Sequence, residues 1–298
     1  MNTTESEDGS IGPLREALTV CAAAGMSGVL RVTGDPGGAI HLAGGQVAAI
    51  ETSGAPSPEV LLLRSHRVTE SGWDEAFAAA AASGGPMDAA LVRRELVGSG
   101  ELEGLLRTAL ADAMFVMASG TVEEYRAEPG PVDFILPLEP GAEPDGLLAE
   151  ATRRIRILAS MPFRHDHDKI VAVPRVAQSG ARLGDGQDEI LALADGRRTA
   201  RDLAFALGRG VYATMLQLAR MRQAGLLATV SSRPSGLDAQ VGGRPAPGGG
   251  PQMASGLPRR AKSPPRSSAP AGGKQGSPLP GAQLRLRYGQ AATTDQDP

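Results

Sequence analysis

Gly186 to Val230 reads GQDEILALADGRRTARDLAFALGRGVYATMLQLARMRQAGLLATV: three short amphipathic segments divided by turn residues and closed by an apolar extended run. Gln187 to Ala194 puts Ile190, Leu191 and Leu193 on one stripe, and Asp195-Gly196 ends it, because glycine tolerates the left-handed conformation that closes a helix. A second helix is predicted from Thr199. Its hydroxyl can accept from the Asp202 amide while the Asp202 carboxylate reaches back to the Thr199 amide, a capping box with Asp in the place of Glu. Leu203, Phe205, Ala206 and Leu207 supply its packing surface. Gly208 and Gly210 then bracket Arg209 in a tight turn of the kind that sets two helices at a steep angle. The third helix starts at Val211, repeats Val211, Met215, Leu218 and Met221 or Arg222 at helical spacing, and is capped at Gly225. Leu226 to Val230 reads as a strand.

This order predicts a winged helix-turn-helix over residues 181–231, which is by default a DNA-binding architecture. The outward face of the third helix carries Tyr212, Ala213, Leu216, Gln217 and Arg220, with Arg209 just before it, and no acidic residue falls between Val211 and Val230. Arg and Gln are the side chains that read guanine and adenine edges or hold phosphates. The predicted DNA-binding residues are therefore Arg197, Arg198 and Arg201 toward phosphates, and Arg209, Tyr212, Gln217 and Arg220 on the reading helix. Two features favour a protein ligand instead. Leu216 beside Tyr212 forms an apolar patch on the reading face, and residues 181–231 hold seven Arg against five acidic residues, only mildly basic. The alternative is a signalling scaffold whose winged helix docks protein. The run ILALADGRRTARDLAFALGRGVYATMLQLARMRQAGLL resembles the MarR-type and related bacterial winged-helix families in its spacing of turn glycines, aliphatics and a terminal Gly-Leu-Leu. That resemblance implies a fold more than a readout.

Working outward, the N-terminal half changes period. Ile11 to Ala24 is predicted as an amphipathic helix with Leu14, Ala17, Leu18 and Cys21 on one side. Gly28 to Thr33, Ala39 to Leu42 and Gln46 to Glu51, joined by glycine-rich turns, form a three-strand meander. Helices follow at Pro58 to Ser65, Glu70 to Ala82 after Thr69, Met87 to Glu95 and Glu101 to Ser119. A strand at Val132 to Leu138 and a helix at Gly146 to Ser160 complete an α+β half. The segments GMSGVLRV, GAIHLAGGQVAAI and ELEGLLRTALADAMFVMASGTVEEYRAEPG resemble the PatA N-terminal (PATAN) domain family of bacterial signalling proteins. The likeness spans about residues 11–160 and rests on structural glycines and a helix followed by an acidic-aromatic strand. It implies an interaction role, in circuits with small GTPases or two-component systems, and no catalytic residues.

Charge divides the 298 residues further. Net charge is −3, yet residues 233–298 hold nine basic and three acidic residues, +6, which leaves −9 on residues 1–232. That C-terminal stretch is Gly, Pro, Ser and Ala in the main, too poor in apolar side chains to offset the entropy of ordering, so residues 232–298 are predicted to be a disordered basic tail and 1–10 a disordered N-terminus. Residues 161–180 are expected to be a linker. Within them His165-Asp166-His167-Asp168 is the run closest to metal chemistry, but its two imidazoles lack further ligands and a solvated linker is the plainer reading. The glycine-rich turns lack the order and lysine of a phosphate-binding loop, no Gly-x-Ser-x-Gly elbow occurs, and Cys21 sits on an apolar helix face. No catalytic residue, metal site or cofactor is predicted. A single cysteine, an acidic N-terminus without an apolar core and the absence of any eighteen-residue apolar run predict a cytoplasmic location and no membrane partner. The sequence reading is thus a bacterial regulator that binds DNA, whose N-terminal domain receives a protein signal or mediates homodimerisation.

Overall fold

The computed structural model describes residues 11–161, 169–173, 184 and 186–230. The predicted disordered ends, the run His165 to Asp168 and most of the predicted linker lie outside them. The first half begins with α1 (Ile11–Ala23), whose Leu14, Leu18 and Cys21 are buried as the helical spacing requires, and burial pushes the Cys21 thiol up. Strands β1 (Gly28–Asp35), β2 (Gly38–Ala43) and β3 (Gln46–Thr52) form the expected antiparallel meander. Helices α2 (Pro58–Arg64), α3 (Glu70–Ser83), α4 (Met87–Arg93) and α5 (Ser99–Ser119) follow, with Ser57 and Thr69 capping α2 and α3 through their hydroxyls.

The sheet has a fourth strand. β4 (Thr121–Pro129) pairs antiparallel with β1, so the order is β3-β2-β1-β4. The strand expected at Val132 to Leu138 does not form. Its alternating Val132, Phe134, Leu136 and Leu138 instead belong to an irregular segment that returns along the far edge of the sheet. There Leu138 donates to the Ala48 carbonyl (2.8 Å) and Ala142 pairs with Val47 (2.9 Å). Phe134 lies over the ring of buried His41, centroids 5.2 Å apart, and His41 Nε2 is 3.2 Å from Glu51 Oε2. α6 (Pro144–Ala159) packs along α5 and completes the half, with Leu147, Leu148, Ala151 and Leu158 buried.

β5 (Lys169–Ala172) falls inside the stretch expected to be a linker. It is followed by α7 (Gln187–Leu193), α8 (Ala200–Leu207), α9 (Val211–Gln223) and β6 (Leu227–Val230). β5 pairs antiparallel with β6, and Ile170 also exchanges bonds with the chain between α7 and α8: its amide donates to Arg198 O and its carbonyl accepts from Gly196 N, both 2.8 Å. The strand beside β6 therefore arrives from upstream of the three helices, and Ile170 is buried where it lands. Among the described residues, helix and sheet are mixed throughout, all within one compact unit.

Candidate functional site

α8 and α9 carry the features the sequence singled out. The capping box forms: Thr199 Oγ1 accepts from Asp202 N (3.2 Å) and Asp202 Oδ2 accepts from Thr199 N (2.9 Å). α8 buries Ala200, Leu203 and Ala204, while Ala206, expected in the packing surface, is exposed. Gly208 ends α8 at φ 60°, the left-handed cap, and a Cβ there would meet Ser65 N at 2.5 Å. The tight turn thus rests against the C-terminal end of α2.

α9 has no cap of its own. Gly210 is its N-cap and offers no side chain, yet the first-turn amides of a helix have no intrahelical acceptor. Asp112, from the middle of α5, supplies them. Its carboxylate accepts from Val211 N and from Tyr212 N (3.2 Å), and Arg154 Nη1 of α6 donates to the same group at 3.0 Å. Asp112 is 3% exposed and Arg154's side chain 12%. Burial pushes the Asp112 carboxyl above the ordinary carboxylate range, and the Tyr212 amide, Arg154 and the Val211 amide pull it back. Gly210 has to be glycine for this approach, since a Cβ would stand 2.9 Å from Asp112 Oδ2.

The Tyr212 ring closes the arrangement. It meets Phe115 of α5 edge to face, centroids 5.6 Å apart at 66°, and the Arg154 guanidinium lies 4.8 Å above its centre. Arg154 is itself held by Glu150, one turn back on α6, through Nε at 2.8 Å, and Arg153 binds the same carboxylate. The two arginines hold the Glu150 carboxyl down to about 2.

The predicted DNA-binding residues differ in how the chain holds them. Tyr212 is half-buried against α5 and α6. Arg209 is turned back to Gly186 O (3.2 Å) and Glu189 Oε2 (2.6 Å). Arg198 braces the α7–α8 turn through Leu193 O and Asp195 Oδ2, each 3.0 Å. Arg197, Arg201 and Arg220 make no ion pair among the described residues, and Gln217 is half-buried. Leu216, expected to be exposed, packs against the core instead. Val211, Met215, Leu218 and Met221 are buried as predicted, but Thr214 and Ala219 are buried as well, so α9 is covered on two sides. The residues of α9 left exposed are Ala213, Arg220, Arg222 and Gln223.

Two residues of this arrangement were not expected from the sequence: Asp112 and Arg154. Asp112 had a signal, an acid in the otherwise apolar run of α5, opposite a glycine-capped helix in need of an acceptor. Among the described residues no group of three or more His, Cys, Asp and Glu is placed to hold a metal ion, and no helix is long and apolar enough to cross a membrane. No protein-family model, curated protein or solved structure matches this chain.

Proposed function

We propose that this is an interaction protein of the regulatory kind, in which the three-helix unit is a fixed part of the body and not an independent DNA reader. The observation that carries this reading is the Asp112 carboxylate on the Val211 and Tyr212 amides. A recognition helix contacts base edges chiefly with its N-terminal residues, and here that turn is occupied by α5. The apolar patch at Tyr212 and Leu216, expected to seek a protein partner, has one within the chain. On this reading the regulator acts through protein contacts of its α+β half, and the helix-turn-helix braces that half.

DNA contact is the second reading, favoured by exposed Arg220 with half-buried Gln217 on α9, and by Arg197 and Arg201, whose side chains form no ion pair among the described residues. A mobility shift with mixed genomic fragments separates the two. The full chain and its Arg197→Ala, Arg201→Ala, Arg220→Ala triple variant should retain DNA equally, with any retention coming from the basic C-terminal stretch and fading with salt. A loss in the triple variant, roughly one to three kcal/mol where Arg220 meets a base and less for each phosphate contact of Arg197 and Arg201, would establish the DNA reading.

A further inference from the structure

We infer that β4 is a self-complementary edge through which two copies of this chain join their sheets, antiparallel, about a two-fold axis at Tyr125. The two edges of the four-stranded sheet are treated differently. The β3 edge is covered by the returning chain at Leu138 and Ala142, whereas β4 pairs only with β1 and ends the sheet among the described residues. A nine-residue strand with one side unpaired presents a row of backbone donors and acceptors to another strand.

The side chains of β4 select the partner. Joining two sheets antiparallel with their faces aligned requires a residue to oppose its own copy, and Tyr125 is the midpoint of Thr121–Pro129; the register shift at Glu123 leaves Glu124 to Arg126 as the regular pairs about that centre. Glu124 then faces Arg126 of the other copy, twice, because the axis repeats the pair. Centring on Arg126 would oppose Arg126 to itself and Glu124 to Glu128, both like-charged. Neither Glu124 nor Arg126 has an ion pair among the described residues, and Arg126 sits in register with Arg31, a cation, whose own partner is Glu128 at 2.8 Å. Each copy thus offers the acid the other lacks.

The other face agrees. Tyr125 is in register with core-facing Val32, yet is 40% exposed, and Val20 on α1, which packs against β4, is 65% exposed. Opposed tyrosines at the axis are a favourable cross-strand aromatic pair. This inference does not depend on how α9 is used.

The test is sedimentation velocity on the full chain over a concentration series. The wild type should dimerise. Arg126→Glu alone and Glu124→Arg alone should each weaken the dimer roughly tenfold or more, since two attractive pairs become repulsive, and the double exchange should restore it. Arg126→Glu should fold, because position 126 lies opposite Arg31. Under oxidation Tyr125→Cys should give a disulfide-linked dimer that the wild type, with Cys21 buried, does not. A wild type that stays monomeric, a dimer indifferent to both charge reversals, or a Tyr125→Cys dimer that does not cross-link would overturn the inference.

Discussion

Removing the Asp112 side chain would leave three N–H donors, from Val211, Tyr212 and Arg154, facing a space with no acceptor. Breaking one side of a buried charge pair costs far more than the pair is worth relative to an apolar replacement, because the other charge stays desolvated. Asp112→Ala is expected to destabilise the fold by about 3 kcal/mol, measured by guanidinium titration; a change under about 1 kcal/mol would remove the carboxylate from its structural role. Glu150 supplies a pH signature of defined sign. Its folded value, about 2, lies below its ordinary 4.5, so its contribution is complete above 4.5 and is lost as pH falls toward 2. The stability difference between wild type and Glu150→Gln should therefore shrink across that interval. Asp112 runs the other way: because its folded value is raised by burial, its ionisation costs the fold stability as pH rises from 3.8 toward that folded value. At this scale the sequence was half legible. Thr199 and Asp202 are three residues apart, and that spacing is their interaction. Asp112 and Val211 are 99 apart, and no local period joins them.

Among the elements, the helices and the meander were readable because their apolar residues follow the period of the structure they form. β4 was legible only by resemblance, for a physical reason: as an edge strand with most of its residues exposed it has no alternation to show, and its TVEEYRAEP looks like a polar loop. Val132 to Leu138 misled in the opposite sense. Its alternating apolar residues serve the core from an irregular segment, where Leu136 and Leu138 are buried and Ile135 is half exposed. β5 was hidden by its shortness and by the distance to its partner β6. The turn between α8 and α9 gives the element-scale test. Gly208→Ala would force a left-handed residue to carry a Cβ into the end of α2, and should cost well over 1 kcal/mol. Thr199→Ala, which removes only a cap hydroxyl, should cost about 1 kcal/mol. Equal costs would mean that the turn does not press on α2.

Taken whole, the molecule binds a helix-turn-helix to an α+β sheet layer through one carboxylate, one guanidinium and one tyrosine ring, with α2 supporting α8 from the side. Elements so joined should unfold together, giving a single thermal transition seen alike by far-ultraviolet dichroism and Trp73 fluorescence, since Trp73 lies in α3, remote in sequence from α9. The sequence suggested two independent domains because each half has its own periodic pattern, while the contacts that fuse them join residues far apart in the chain within one continuous apolar core. The most direct measurement is hydrogen exchange at the Val211 and Tyr212 amides. The first amides of a helix behind a glycine cap have no acceptor within the helix and exchange freely if the helix stands alone. Here they should be protected to the level of the α5 core, and Asp112→Ala should abolish that protection first at these two sites. Rapid exchange at Val211 and Tyr212 in the wild type would contradict the docking of α9 on which the proposed function depends.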